Sequence, residues 1–206
     1  MIKLTAIYGS PRRKGNTAVL LKHAVQGARR AGALVEEVML RDLEMSPCLE
    51  IYGCKKNGRC VIRDEFARVR DAMLAAEGIM LASPIFFYTV SAQVKILMDR
   101  CQSLWVQKYW IEKRPFSDKR VDRSGMFISV GATRGKMLFE GALRSVRYFY
   151  DVLDTELWRS LLYRGLDFEG DVYRCPQYLE EAYRAGRELV DRIRIRRHLA
   201  EDSPAQ

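Results

Sequence analysis

The sequence contains no apolar stretch that approaches the roughly 20 residues of a bilayer-spanning helix. It also has no N-terminal signal pattern, because Met1 leads directly into a short apolar run that ends at Gly9. Internal repeats and low-complexity segments are absent as well. These absences argue against membrane, exported and repeat proteins, and we expect a soluble cytoplasmic protein with no membrane partner.

Motifs of common nucleotide-binding proteins are missing too. A Walker A loop places Lys directly after its second Gly, whereas here Gly15 is followed by Asn16, and Lys14 lies before it. The dinucleotide fingerprint G-x-G-x-x-G is absent from the same turn. There is no obvious acid–base constellation of the Ser-His-Asp or paired-carboxylate type. An NTPase is therefore disfavoured, and a bound cofactor is expected to supply any chemistry.

The composition is that of one globular domain, with 206 residues, 48% hydrophobic and 30% charged. We expect a single domain over residues 1–198 and a flexible tail over 199–206. The net charge is +9, and many basic residues lie near the C-terminus. There they alternate with acidic residues four positions away, which is typical of a solvated helix face. We therefore expect no nucleic-acid partner.

Predicted strands and helices alternate along the whole chain. The apolar, β-rich runs predict strands at Ile2–Tyr8, Leu34–Leu40, Gly78–Ser83, Gly125–Val130 and Glu156–Tyr163. Helical spacing predicts helices at Thr17–Ala31, from the N-cap Asp64 to Ala76, and at Val90–Cys101, Lys136–Leu153 and Pro176–Arg197, with Gln102–Ser124 irregular. This alternation predicts an α/β, flavodoxin-like fold: a five-stranded parallel sheet of order 2-1-3-4-5 with helices on both faces. Ligands of such sheets bind beyond the carboxyl ends of the strands, at the loops after strands one, three and four.

The loop after the first predicted strand has the composition of an anion site. It runs from Gly9 to Thr17 and ends where a helix begins, so unpaired N–H groups and the positive end of the helix dipole favour a phosphate. Ser10, Asn16 and Thr17 add side-chain donors, while Arg12, Arg13 and Lys14 add positive charge. Gly9 and Gly15 allow close approach of the backbone. An exposed basic connection without a ligand is the alternative.

Several segments together resemble the NADPH-dependent FMN reductase family, especially its iron–sulfur flavoprotein branch. The resemblance lies in GSPRRKGNT at 9–17, SPIFFY at 83–88 and SAQVK at 91–95, with Asp64-Glu65 and Asp99-Arg100 in support. It covers roughly the first two-thirds of the chain. The resemblance implies bound FMN whose phosphate contacts Ser10, Arg12, Asn16 and Thr17, with Arg13 and Lys14 at variable positions.

The resemblance also assigns the two loops that would hold the flavin ring. The first consists of Pro84, Ile85, Phe86, Phe87 and Tyr88, which would wrap the isoalloxazine with side chains and backbone amides. The second consists of Gly131, Ala132 and Thr133, which would approach the flavin edge. The alternatives are that the aromatic residues cap the core and that the second loop is an ordinary glycine-rich turn. Trp105 is a further candidate for shaping the pocket.

Three cysteines fall where the iron–sulfur branch carries a four-cysteine motif that binds a [4Fe–4S] cluster. They are Cys48, Cys54 and Cys60, and the fourth position is Ile51, whose side chain cannot ligate iron. We consider three interpretations of these cysteines. They could be core packing or a relic of the motif, they could hold a labile or three-iron cluster, or they could bind zinc or form a thiol redox pair. An iron–sulfur cluster is possible but not favoured, and no metal ligand is assigned.

The expected function is that of an FMN-dependent oxidoreductase. It would pass electrons from NAD(P)H, as co-substrate, through bound FMN to a flavin, a quinone or another small acceptor. The alternative is a flavodoxin-like or iron–sulfur flavoprotein electron carrier without NAD(P)H activity of its own. By the same resemblance we expect a homodimer or homotetramer, with the aromatic segment 105–110 as a candidate contact.

Overall fold

The sheet of the protein is parallel throughout, as the alternation of elements predicts. The computed structural model describes residues 1–116 and 123–201. Its strands are β1 (Lys3–Tyr8), β2 (Leu34–Met39), β3 (Gly78–Pro84), β4 (Arg123–Gly131) and β5 (Thr155–Arg164). They pair in the order β2-β1-β3-β4-β5. The predicted flavodoxin-like fold class and strand order are confirmed.

The helices cover both faces of this sheet. They are α1 (Asn16–Arg30), α2 (Cys54–Asn57), α3 (Phe66–Ala75), α4 (Ala92–Arg100), α5 (Gln102–Trp105), α6 (Glu140–Val152) and α7 (Pro176–Glu201). Two 3₁₀ turns, Leu40–Asp42 and Asp171–Arg174, and a π-helical segment, Val106–Ile111, complete the secondary structure of the described residues. In that part of the chain, no helix has both the length and the apolar character needed to span a bilayer.

Three predicted segments differ from the structure. The segment 102–124, expected to be irregular, begins with α5 and the π-helical turns. These turns do not repeat every 3.6 residues, so the sequence lacks the usual helical spacing there. Residues 117–122 of this segment lie outside the described residues. The predicted helix from Lys136 starts only at Glu140. Helix α7 extends to Glu201 and thus includes the start of the predicted tail. The rest of that tail, residues 202–206, also lies outside the described part.

Each face of the sheet has its own buried core. On one face α1 and α7 pack over the sheet, and on the other α3, α4 and α6 do so. Helices α1 and α7 touch at Gly27 and Gly186, where an added Cβ would lie 2.0 Å from the Tyr183 carbonyl oxygen and 1.9 Å from the Ala24 carbonyl oxygen, respectively. This close contact fixes α1, whose first turn borders the functional site described below.

A chain of serines joins the carboxyl ends of the three central strands. Ser91 Oγ donates to the Gly9 carbonyl (2.6 Å) and its N–H donates to Ser83 Oγ (2.9 Å). Ser129 Oγ donates to the Ser83 carbonyl (2.7 Å). All three side chains are buried. The ends of β1, β3 and β4 are therefore held together at the edge where the strand order reverses, which is where ligands of such sheets bind.

A buried ion pair fixes the segment between β2 and α3. The Arg100 guanidinium donates to both carboxylate oxygens of Asp64, one of them at 3.0 Å. Asp64 also accepts the backbone N–H groups of Ser46 (2.9 Å) and Phe66 (3.1 Å). The N-cap of α3 is Glu65, one residue after the predicted Asp64. Burial alone would raise the pKa of Asp64, but the hydrogen bonds from Arg100 and from these two backbone groups outweigh it and lower that pKa.

Candidate functional site

A cleft of about 250 Å³ opens at the carboxyl ends of β1, β3, β4 and β5. Its walls come from the three loops expected to bind a ligand and, in addition, from the loop that follows β5. The lining residues are Ser10, Pro11, Arg12, Gly15, Asn16, Thr17, Pro84, Ile85, Phe86, Val130, Gly131, Ala132, Leu166 and Asp167. The cleft therefore brings together residues that are more than 150 positions apart in the sequence.

The first turn of α1 faces this cleft with unpaired backbone donors. Gly15 is the N-cap, and no side chain caps the helix. Val19 N–H is the first to donate within the helix, to the Gly15 carbonyl (3.0 Å). Among the described residues, none accepts the N–H groups of Asn16, Thr17 or Ala18, although all three residues are buried. Buried donors at the positive end of a helix dipole require an acceptor, and an anion is the acceptor that suits them best.

The loop before α1 is tightly curved around Ser10. Arg12 N–H donates to Ser10 Oγ (3.1 Å), and Gly15 N–H donates to the Arg12 carbonyl (3.2 Å). A Cβ at Gly15 would lie 2.7 Å from Ser10 Oγ and 3.3 Å from the Arg12 carbonyl oxygen, so glycine leaves room for this curvature. Arg13 forms a bidentate pair with Asp42 at 2.7 and 2.8 Å, away from the lining of the cleft. Arg12 is therefore the arginine of this loop that lines the cleft.

The side chain of Asn16 connects the start of α1 to the loop after β5. Its Nδ2 donates to the Phe168 carbonyl (2.9 Å), and its Oδ1 accepts Val172 N–H (3.2 Å). The amide oxygen and one of the two amide N–H groups of Asn16 are thus engaged by the loop after β5. Asp171 completes this contact because one of its carboxylate oxygens accepts the N–H groups of Asp167 (3.0 Å) and Phe168 (2.9 Å).

The aromatic loop after β3 forms a tight two-residue turn. Phe86 and Thr89 exchange N–H···O hydrogen bonds of 3.0 Å, and the two residues between them have positive φ, 47° at Phe87 and 62° at Tyr88. Positive φ is unusual for large side chains. Phe87 is fully exposed, and neither Phe87 nor Tyr88 lines the cleft. Pro84, Ile85 and Phe86 do line it. The five residues predicted to surround the flavin ring are therefore divided between the cleft and its outer rim.

The loops after β4 and β5 close the opposite side of the cleft. Gly131 and Ala132 line it, whereas Thr133 does not. The Gly131 carbonyl accepts Gly165 N–H (2.8 Å), which brings Leu166 and Asp167 to the cleft. Sequence reasoning missed Pro11, Val130, Leu166 and Asp167. The last two could have been found, because β5 is parallel to its neighbours and its carboxyl end must lie at the same sheet edge.

A second cavity, of about 270 Å³, lies over the cysteine segment. Cys48, Cys54 and Cys60 line it together with Ile51, and its other wall includes Trp105, Val106 and Trp110. Trp105 therefore belongs to this cavity and does not line the cleft at the strand ends. Lys55 Nζ lies 3.9 Å from the centre of the Tyr52 ring at the same cavity, so the two residues form a cation–π contact.

Known proteins with a matching sequence are flavoproteins. The model of the NADPH-dependent FMN reductase family matches residues 2–154. An iron–sulfur flavoprotein of Methanocaldococcus jannaschii is 41% identical over 103 residues, which are 50% of this chain and 53% of the relative. An iron–sulfur flavoprotein of Archaeoglobus fulgidus is 32% identical over 149 residues, covering 71% of this chain and 70% of the relative. The chain thus spans from about half to about two-thirds of the length of such relatives.

Solved structures with the same fold include two reductases. A flavone reductase superimposes with a TM-score of 0.69 at 18% identity, covering 100% of this chain and 66% of the other. An NAD(P)H:quinone oxidoreductase of Methanothermobacter marburgensis gives a TM-score of 0.68 at 18% identity, with 91% and 96% of the two chains covered. At this identity the likeness establishes the fold.

The cysteine segment does not fit the cluster that the names of these relatives imply. Three thiols line the cavity, and the position expected for a fourth is the apolar Ile51. Within residues 1–116 and 123–201, no three His, Cys, Asp or Glu side chains are placed so that they can share a metal ion. A four-iron cluster needs four ligands. The cleft at the strand ends, with its unpaired helix donors and Arg12, fits a phosphate-bearing cofactor such as FMN instead.

Proposed function

The chain belongs to the NADPH-dependent FMN reductase family, with iron–sulfur flavoproteins among its relatives, and from this premise we propose that it is an FMN-dependent oxidoreductase. In this proposal electrons pass from NAD(P)H through bound FMN to a flavin, a quinone or another small acceptor. The whole-protein activity, the co-substrate and the acceptor are all part of the proposal. So are a cytoplasmic location and assembly as a homodimer or homotetramer.

The observation that carries this proposal is the start of α1. Asn16, Thr17 and Ala18 are buried residues whose backbone N–H groups have no acceptor among the described residues, and Asn16 and Thr17 line the cleft. Arg12 adds a positive charge, and the Thr17 hydroxyl adds a donor beside them. A phosphate monoester supplies several anionic oxygens and would satisfy this set of donors at once.

The other walls of the cleft suit a flat ring next to that phosphate. Ile85 and Phe86 supply apolar surface on one side, and the backbone at Gly131 and Ala132 allows close approach on the other. In the part of the chain that the structure describes, no group accepts the N–H groups of Phe87 and Tyr88. These donors would stabilise negative charge on a ring at the rim of the cleft.

Bound FMN would supply the redox chemistry, by accepting a hydride from reduced nicotinamide and returning electrons to an acceptor. The residues of the chain would bind and orient it. Arg12 and the first turn of α1 hold the phosphate end, and the Phe86–Thr89 turn shapes the ring end. Since the rim is open and Phe87 is fully exposed, two substrates could use the ring face in turn.

The alternative is an electron carrier that binds FMN but does not oxidise NAD(P)H itself. It is favoured by the names of the iron–sulfur relatives and by the exposed aromatic rim, which would suit a protein partner. The two functions differ in steady state. The enzyme oxidises NAD(P)H continuously when an acceptor such as a quinone is present, whereas the carrier does so only after a separate reductase is added.

The first test is FMN binding by the purified protein and by the double variant Arg12→Ala/Thr17→Ala. We expect a yellow protein that binds FMN stoichiometrically. Each lost bond to a charged phosphate costs roughly 1.5–3 kcal/mol, so the double variant should bind FMN at least about 100-fold more weakly. The measurement is fluorescence titration of FMN. A wild-type protein that cannot be loaded with FMN would refute the proposal.

The matched control is Arg13→Ala/Lys14→Ala, which removes two charges from the same loop. Arg13 pairs with Asp42, and neither residue lines the cleft, so the FMN affinity should change by less than about 3-fold. An equal loss in both double variants would mean that the loop attracts FMN only through its net charge.

Assays for iron and acid-labile sulfide on the same samples test for a cluster.

A further inference from the structure

The turn between Phe86 and Thr89 contains residues that do not suit its backbone. Both central residues have positive φ, 47° at Phe87 and 62° at Tyr88. Two-residue turns of this kind usually contain Asn, Asp or Gly at these positions, because a bulky side chain makes the left-handed region costly. Such a conformation persists only where the surrounding structure holds it in place.

The side chain of Phe87 does not offset this cost by packing. It is fully exposed, and that of Tyr88 is 55% exposed. Phe86, at the start of the same turn, lines the cleft at the strand ends. Backbone strain without a packing gain, next to a candidate ligand site, points to a functional reason for the conformation of the turn.

Helix α6 supports this turn from behind. An added Cβ at Gly141 would lie 2.6 Å from the Tyr88 carbonyl oxygen and 3.6 Å from the Tyr88 carbonyl carbon. Outside α6, these are the atoms of the described residues that such a Cβ would meet within 4 Å. The start of α6 therefore reaches the turn because residue 141 has no side chain.

Glycine at position 141 is unfavourable for the helix itself. Gly141 is the second residue of α6, and it is exposed. Alanine at a helical position would increase the folding equilibrium constant about 2- to 5-fold if nothing obstructed its methyl group. The contact with the Tyr88 carbonyl is the feature of the described structure that requires glycine here.

We propose that Gly141 is a positioning residue for the flavin ring. By letting α6 support the Tyr88 carbonyl, it keeps the turn in the conformation in which the N–H groups of Phe87 and Tyr88 have no acceptor among the described residues. Donors at the rim of the cleft bind the electron-rich reduced ring more strongly than the oxidised ring, so they raise the midpoint potential of FMN. The inference rests on the proposed function, because it requires FMN in the cleft.

The test is a redox titration of the FMN-loaded protein and of Gly141→Ala, together with titration of oxidised FMN. The phosphate contacts remain in the variant, so its affinity for oxidised FMN should change by less than about 3-fold. Reduced FMN should bind about 10-fold more weakly relative to oxidised FMN, which makes the two-electron midpoint potential about 30 mV more negative. An unchanged potential, or an equal loss of affinity for both oxidation states, would overturn the proposal.

The matched control is Gly135→Ala, which adds the same methyl group near the same tyrosine. A Cβ at Gly135 would lie 3.7 Å from the Tyr88 hydroxyl, which is an ordinary van der Waals contact, and Gly135 does not line the cleft. The midpoint potential should therefore stay at the wild-type value. An equal shift in both variants would show that any change near Tyr88 alters the potential, and the role assigned to Gly141 would be wrong.

Urea unfolding without flavin tests the contact between α6 and the turn directly. Gly141→Ala should lower the folding equilibrium constant despite its better helix propensity, because its methyl group meets the Tyr88 carbonyl. Phe87→Asn should raise that constant about 2- to 5-fold, since Asn tolerates positive φ and the exposed Phe87 side chain loses no packing. The opposite sign for either variant would overturn the proposal.

The two sets of measurements distinguish this inference from the proposed function. A wild-type protein that cannot bind FMN would refute the proposed function and, with it, any role of Gly141 at a flavin. A wild-type protein that binds FMN and oxidises NAD(P)H, with the same midpoint potential as Gly141→Ala, would refute the positioning role alone.

Discussion

At the scale of single residues, the pair Asp64–Arg100 is the most constrained charge interaction in the described part of the fold. The side chain of Arg100 is fully buried and that of Asp64 is 12% exposed. The Arg100 guanidinium also donates to the Ser46 carbonyl (2.8 Å), so it connects the segment after β2 to α4. Removing one partner of such a pair leaves the other buried and unpaired. The resulting loss in the free energy of unfolding is far larger than the net contribution of the intact pair.

We therefore expect Asp64→Asn to lower the free energy of unfolding at pH 7 by about 3 kcal/mol. Hydrogen bonds lower the pKa of Asp64 in the folded state, so its carboxylate stabilises the fold above its unfolded pKa of about 4. This contribution is lost as the pH falls through the lower folded pKa. The difference between variant and wild type should shrink below pH 4, as measured by urea unfolding.

The control for this prediction is Asp71→Asn. The Asp71 side chain is 64% exposed and, within the described residues, pairs with Arg70 on the helix surface. Its replacement should cost less than about 1 kcal/mol. A loss for Asp64→Asn that stays constant from pH 7 to pH 3 would show that packing, and not the ionised carboxylate, is responsible.

Residue-level prediction worked where backbone chemistry decides the outcome. The loop Gly9–Thr17 was identified from its glycines, its charge and the helix that follows, and these features create the unpaired donors of α1. It did not anticipate the bonds of the Asn16 side chain to Phe168 and Val172, because these partners are more than 150 residues away in the sequence. No local pattern specifies such a contact.

At the scale of elements, the loop after β5 acts as a clasp on α1. We define the clasp as residues Leu166–Val172. Asn16 holds it from the side of α1, and Asp171 holds it from within by accepting two of its N–H groups. These bonds lower the pKa of Asp171, through the N–H groups of Phe168 and Asp167. The clasp supplies Leu166 and Asp167 to the cleft and lies outside the residues matched by the family model.

We expect Asn16→Ala and Asp171→Ala each to weaken FMN binding about 10-fold, since each removes hydrogen bonds that hold the clasp. Combined, they should weaken it little further, because both act through the same loop. FMN titration of the two single variants and the double variant measures this coupling. Hydrogen exchange should show faster opening of residues 166–172 in all three.

Two outcomes would contradict the clasp. If Asn16 touched the phosphate directly, Asn16→Ala would weaken FMN but not riboflavin, and Asp171→Ala would have no effect on either. If the clasp were unconnected to the cleft, both variants would open the loop and leave the FMN affinity unchanged. A suitable control is Ser145→Ala, whose hydroxyl donates to the Gly141 carbonyl within α6 (3.1 Å).

Element prediction was most successful where periodicity is regular. The strands alternate with helices along the chain, which predicts a parallel sheet, and the order 2-1-3-4-5 expected for five such strands is the observed one. The segment 102–116 was expected to be irregular, yet it contains α5 and a π-helical stretch. In this segment the ring centroids of Trp105 and Tyr109 lie 5.6 Å apart. A π-helical turn contains more residues than an α-helical turn, so side chains on one face do not repeat at the 3.6-residue spacing that predicts a helix.

At the scale of the whole molecule, the flavin cleft joins parts of the fold that are remote in sequence. Its walls come from the first helix, the two central loops and the clasp near the C-terminus. The two cores meet across one continuous sheet, and α1 is fixed to α7 at Gly27 and Gly186. A ligand in the cleft therefore contacts both cores, and its binding energy should stabilise the described fold as one cooperative unit.

This coupling makes thermal unfolding a test of the molecule as a whole. Free FMN at about 100 times its Kd should add about 2.7 kcal/mol to the free energy of unfolding. For a domain of this size, that corresponds to a rise in Tm of roughly 5–11 °C. Calorimetry should show a single transition that moves as a whole, and riboflavin, which lacks the phosphate, should move it less. Two transitions of which FMN shifts only one would mean that the cleft belongs to a part of the chain that unfolds separately from the rest.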